Sequence, residues 1–194
     1  MPVAAATVHQ YETLKVTPIT GGIGAEISGV DLRDLSDELI VDLKRAWLDY
    51  KVLFFREQKL TQAEHVAYGR ALGELEVHPF TPNDSQYPEI IILHSKPDNF
   101  FAAQTWHSDV TFRACPPLGS ILYGRIIPTW GGDTCFANME LAYDLLSDEI
   151  KEDIDGLNAV HSLEKTFARR MDDEQRERAF AAYPDQLHPV VRSH

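Results

Sequence analysis

The sequence predicts a mainly β fold, a jelly roll or barrel with a few helices packed outside it. Three observations carry this expectation. β-forming runs recur at close spacing at Ile90 to Leu93, Leu118 to Ile127 and Asp133 to Phe136. Turn signals separate them, among them Cys115-Pro116-Pro117 and Trp130-Gly131-Gly132. Helical periodicity is confined to short stretches on either side of this region.

Taken in order, Leu14 to Pro18 and Ile23 to Ile27 read as strands joined through a Gly21-Gly22 turn. From Ser36, the residues Leu39, Ile40, Leu43, Ala46, Trp47 and Tyr50 recur at helical spacing behind a Ser cap and the acidic pair Asp37 and Glu38. Val52 to Phe55 reads as a buried strand. Thr61-Gln62-Ala63-Glu64 is a capping box that opens a helix ended by Gly73. Beyond the β-forming runs, Asn138 and Ser147 cap short helices, the second closing at Gly156, and Asp172 to Ala182 reads as an exposed charged helix. A last strand is expected over His188 to Arg192. No repeat or low-complexity linker marks a boundary, so residues 1–194 are expected to form a single domain.

Composition narrows the function. A chain of 194 residues with 44% hydrophobic and 25% charged residues has the balance of a globular protein with a sizeable core. Its net charge of −12 argues against a general nucleic-acid partner, which would need clustered Lys and Arg to neutralise phosphates. The apolar runs are far shorter than the roughly 20 residues that span a bilayer, so no membrane is expected. The N-terminus has neither a basic start nor a secretory apolar core, and a cytoplasmic location is the default. Cys115 and Cys135 are too few for a disulfide framework and read as reduced packing residues. A small molecule is the expected partner, while assembly into a homo-oligomer is neither specified nor excluded.

The sharpest local feature is Trp106-His107-Ser108-Asp109-Val110-Thr111-Phe112. On an extended segment the period of two puts His107 and Asp109 on one face, where an imidazole and a carboxylate can converge on one ion. A distant third ligand would complete the 2-His-1-carboxylate face that suits Fe(II) and leaves positions open. The spacing by itself is weak, because 8 His among many Asp produce such a pair by chance, and a His-Asp hydrogen bond in a loop explains it as simply.

The surrounding blocks add context. Trp106 to Phe112, Cys115-Pro116-Pro117 and Gly131-Gly132-Asp133-Thr134 together closely resemble the taurine and 2,4-dichlorophenoxyacetate dioxygenase family. So do Gly24 to Leu32, Val52 to Gln58, Gly73 to Pro79 and His188 to His194, in order along essentially the whole chain. The resemblance implies an α+β, mainly β fold: a cupin-like double-stranded β-helix, or jelly roll, with flanking helices. It implies an oxidoreductase using Fe(II), 2-oxoglutarate as cosubstrate and O2, with His107 and Asp109 as metal ligands and no catalytic residue beyond them. Thr134 would bind a carboxylate of 2-oxoglutarate, although a β-branched residue after a Gly-Gly-Asp turn also suits a strand. His78 matches a position that in the taurine enzyme holds the sulfonate, against the simpler reading of a loop His satisfied by backbone. Phe167 would line the substrate pocket, against the commoner role of an aromatic in a core.

Departures from the family pattern carry information too. Thr81 and Ala103 stand where the taurine enzyme has larger polar residues, so the implied substrate is a small anion other than taurine: another sulfonate, a sulfate ester, or an aryloxy or other carboxylate. In the family the third iron ligand and the Arg that pairs with 2-oxoglutarate lie beyond the block His188 to His194. The chain is therefore expected to be C-terminally incomplete, with weak Fe(II) binding and no turnover by itself. His188 and His194 match the segment upstream of the third ligand, and His161 a strand position without a metal role. A catalytically dead jelly-roll fragment or interaction module is the rival reading. A zinc hydrolase finds no HExxH or His/Cys cluster to support it.

Overall fold

The computed structural model describes residues 10–81, 83–94, 105–164, 167 and 171–193. Contacts divide the chain into two compact units, the first formed by Met1–Val77, Asn83–Ile91 and Arg125–Leu145, the second by His78–Pro82, Ile92–Gly124 and Leu146–His194.

In the first unit, β1 (Lys15–Pro18) and β2 (Ala25–Ser28) form the antiparallel pair expected, with Val16 opposite Ile27. The turn between them closes through Ile19 N–H to the Gly24 carbonyl at 2.9 Å. Gly24 takes a φ of +86°, and a Cβ there would sit 3.4 Å from the Phe54 ring, so glycine suits both the backbone and the space. Helix α1 (Asp37–Tyr50) starts where Ser36 accepts the Leu39 N–H, and it buries Leu39, Asp42, Leu43 and Ala46 on one face. Lys51, at a φ of +65°, turns the chain into β3 (Leu53–Phe55), which pairs parallel with β2. The sheet order is thus β1-β2-β3, with α1 as the crossover between its parallel strands.

Helix α2 (Gln62–Leu72) opens with the expected reciprocal capping box between Thr61 and Glu64 and ends at Gly73. It packs on α1, and Ala25, Ile27, Leu39, Leu43, Ala46, Val66 and Tyr68 are all buried in this unit. Asp42 is the buried charge: its Oδ2 accepts Glu12 N–H at 2.8 Å, Thr13 N–H at 2.9 Å and Thr13 Oγ1 at 2.9 Å, fastening the chain before β1 to the helix. Later in the sequence, α3 (Met139–Asp144) returns to this unit, capped by Asn138, whose amide also donates to the Gly22 carbonyl.

The second unit contains α4 (Asp148–Ile154), capped by Ser147, and a two-stranded antiparallel sheet of β4 (Asn158–His161) and β5 (Gln186–Pro189). Between those strands lies α5 (Asp173–Ala182), mostly exposed as expected, with Ala179 turned inward. Its core is formed by Phe112, Leu163 and Ala179, against which Phe80, Val110, Phe167, Met171, Phe180 and Tyr183 pack.

The described residues therefore combine five helices with two small sheets. The β-forming runs depart from expectation: among the described residues, Leu118 to Ile127 and Asp133 to Phe136 form no strand, and Ile91 makes one isolated bridge, to Asn83. Leu118, Leu122, Ile126 and Ile127 are 70% exposed or more, so their β propensity meets neither a partner strand nor a packed face, and propensity without pairing does not make a sheet. The final strand is shifted toward the N-terminus, to Gln186–Pro189 rather than His188 to Arg192. The strand expected from Val52 is half-buried rather than buried. Among the described residues no helix is long and apolar enough to cross a membrane.

Candidate metal centre

His107 and Asp109 lie in the second unit on an irregular segment that enters a turn at Asp109, not on the extended strand expected from their spacing. The side chains converge nonetheless, with His107 Nε2 3.3 Å from Asp109 Oδ1 and both about half exposed. Two hydrogen bonds orient them. His107 Nδ1 donates to the Thr105 carbonyl at 2.8 Å, and Ser120 Oγ donates to Asp109 Oδ2 at 2.9 Å. A carbonyl can only accept, so Nδ1 carries its hydrogen and the neutral ring presents a lone pair at Nε2. Unless a proton fills the gap, Nε2 and the carboxylate oxygen face each other as two acceptors, an arrangement that a cation between them relieves.

The geometry suits a divalent ion. Donors each about 2.1 Å from one ion, at right angles to each other, stand about 3 Å apart. The orienting bond on the far ring nitrogen is the usual partner of a metal-binding histidine. Among the described residues no three His, Cys, Asp or Glu side chains gather as a metal site, so the pair offers two protein ligands.

The segment after Asp109 is tightly held. Val110 adopts a φ of +55°, a region a β-branched residue rarely enters, and Arg113 N–H donates to its carbonyl at 3.1 Å. Phe112 is anchored in the core. From β5, His188 Nε2 donates to the carbonyls of both Thr111, at 2.9 Å, and Arg113, at 3.0 Å. The ring of His161 stands edge-on to that of His188, centroids 5.0 Å apart.

His78 is 7% exposed, in the same unit. Its Nδ1 accepts from Phe80 N–H at 3.2 Å and Thr81 N–H at 3.1 Å, which leaves the ring hydrogen on Nε2. Thr81 Oγ1, 2.9 Å from the same nitrogen, completes the cradle, so the residue that departs from the family pattern serves His78 directly. Burial, reinforced by the Arg113 charge and opposed by Asp109, pushes the His78 pKa below the ordinary imidazole value. His78 is therefore a neutral N–H donor near pH 7, not the cationic partner that an anion-binding histidine could also supply. Phe167 belongs with it: the rings lie 5.1 Å apart in a cluster with Phe80 and Phe112.

Thr134 belongs to the first unit, exposed, shortly after Gly131 and Gly132, whose φ values of +77° and +73° lie in the left-handed region. Ala103 and His194 lie outside the described residues. The sequence reading missed Ser120, the Thr105 carbonyl, Arg113 and the bonds of His188. Of these only His188 carried a local signal, its place in a recognisable block, and nothing in spacing tied it to residues more than seventy positions away.

One histidine and one carboxylate at ion-binding distance are two of the three ligands that a 2-His-1-carboxylate site of the non-haem iron class requires. Residues 15–194 match the model of the Taurine catabolism dioxygenase TauD, TfdA family, and the chain belongs to that family. It is similar to the alkylsulfatase of Acinetobacter baylyi, 37% identical over 94% of this chain and 60% of the relative. It also resembles the alpha-ketoglutarate-dependent sulfate ester dioxygenase of Pseudomonas putida, 36% identical over 98% and 66%. Among solved structures, a taurine dioxygenase from Burkholderia xenovorans superposes with a TM-score of 0.75 at 34% identity, covering 94% of this chain and 60% of that one. AAD-2, solved with Mn(II) and N-oxalylglycine, gives a TM-score of 0.71 at 26% identity over 94% and 65%. The chain thus spans 60% to 66% of the length of these relatives.

Proposed function

We propose that residues 1–194 are part of one Fe(II)- and 2-oxoglutarate-dependent dioxygenase domain of jelly-roll type that hydroxylates a small anionic substrate. The observation that carries this reading is the approach of His107 Nε2 to Asp109 Oδ1, with Nδ1 already committed to the Thr105 carbonyl. Membership of the family supports it. His107 and Asp109 would hold the metal, and Thr134 would donate to a carboxylate of 2-oxoglutarate. Bound there, Fe(II) with 2-oxoglutarate and O2 supplies the oxidation, placing one oxygen atom in the substrate and the other in succinate, with loss of CO2. The protein's own residues orient and exclude: Thr105 and Ser120 fix the two ligands, and the aromatic rings around His78 keep water from the adjacent space.

His78 would receive the anion through its Nε2–H. A neutral donor in an aromatic surround, with Thr81 turned toward the imidazole, favours a substrate bulkier or less polar than taurine, and the relatives named as an alkylsulfatase and a sulfate ester dioxygenase fit that choice. His107→Ala and Asp109→Ala should each weaken Mn(II) or Fe(II) binding by at least about tenfold, the scale of a lost metal ligand or its support, and leave the thermal transition in place. Anaerobic calorimetry with circular dichroism measures both. Parental metal affinity in the two variants would sink the proposal and leave the non-catalytic module as the better reading.

A further inference from the structure

The turn that carries Asp109 is strained and tied down from a distance. Val110 sits at a φ of +55°, where a β-branched side chain crowds its own backbone, so the turn needs restraint from outside to persist. The local bond from Arg113 N–H to the Val110 carbonyl closes the turn without fixing its direction. Direction comes from Phe112, buried in the core, and from His188, which reaches the carbonyls on either side of Phe112 with a single N–H. His188 is in turn held by β5, where it pairs with Ala159 of β4 and its ring stands against that of His161.

We propose that His188 is a positioning residue for the metal pair: by sharing its Nε2–H between the carbonyls of Thr111 and Arg113, it aims the Asp109 carboxylate at His107. The inference rests on the metal-binding reading of that pair. Without the donor, two carbonyls lose their partner, Val110 relaxes toward an ordinary φ, and Asp109 swings away from Nε2. His188 never touches the metal, because the nitrogen nearest the segment is spent on the carbonyls.

The test uses the 194-residue chain and four variants. Gln at 188 carries an amide N–H near the position of Nε2, Asn carries the same group too short to reach, and Leu removes the donor while keeping bulk. His107→Ala reports the metal site itself. Mn(II) binding followed by electron paramagnetic resonance should weaken about 10-fold to 100-fold in H188L and H188N and stay within about threefold of the parent in H188Q. Amide exchange at Arg113 should accelerate about tenfold in the first two and not in the third, while α1 keeps its protection. Equal affinity in H188N and H188Q overturns the proposal, even if H188L fails to fold. Parental affinity in H188L alongside loss in H107A overturns it and leaves the metal reading standing. If the parent binds no Mn(II), or H107A binds as the parent does, the metal reading fails and the proposal falls with it. Unchanged exchange at Arg113 in H188N shows separately that there is no clamp.

Discussion

Asp42 and His78 are both buried titratable groups, and their surroundings drive them in ways that pH can read. Burial pushes the Asp42 carboxyl up, but hydrogen bonds from Thr13 and Glu12, with Arg45 nearby, more than reverse this and hold it below the usual carboxylate range. Its stabilisation is complete above about pH 4 and lost as pH falls through its folded value. Asp42→Ala should cost about 3 kcal/mol at pH 7, since a charged acceptor of three bonds disappears from a buried site. The gap between parent and variant, measured by urea unfolding, should narrow below about pH 4. A gap that stays constant down to pH 2 would show that the charge is irrelevant. For His78 the imidazolium is disfavoured in the folded state, so below about pH 6.5 the unfolded chain takes up the proton first and stability declines. An NMR titration of the His78 ring should place its midpoint under 6.5, and a midpoint above 7 would contradict the neutral-donor role.

At the scale of elements, the helices were legible because their determinants are local. Ser36, Thr61, Asn138 and Ser147 each read as a cap from sequence, and each accepts the backbone N–H three residues on, as does Asp172, which the sequence had placed inside the helix. Thr61→Ala should therefore cost about 1 kcal/mol, seen as a lowered denaturation midpoint with unchanged slope, because it removes the side-chain half of the box with Glu64. No shift in the midpoint would mean that tertiary packing alone fixes this helix end. The strands were legible where a short turn supplies the partner, as between β1 and β2, and at β3, a compact apolar run bounded by the end of α1. Leu118 to Ile127 has the composition of a strand, but composition cannot show whether another segment lies beside it. The same contrast governs the site. His107 and Asp109 could be found because two ligands two residues apart leave a pattern, whereas His188 acts across more than seventy residues through carbonyls that every residue possesses.

For the whole molecule the proposed function leaves one question open, the identity of the anion. In a form of the protein extended to supply the third metal ligand, a panel of sulfonates, alkyl sulfate esters and aryloxyacetates, scored by 2-oxoglutarate consumption, should rank an alkyl or aryl compound above taurine. Taurine as the best substrate would contradict the reading of His78 and Thr81. The net charge of −12 is a property of the whole chain and does not exclude a local site for an anion. The face of the β4–β5 sheet opposite His161 and His188 has a different consequence. There Val160 and Leu187 stand directly across from one another, 64% and 67% exposed, on a sheet that has two strands among the described residues. At the bench this makes a sticky sample out of a highly charged one: late elution from phenyl resins, early precipitation in ammonium sulfate, and a practical ceiling on concentration that lowering the salt should raise.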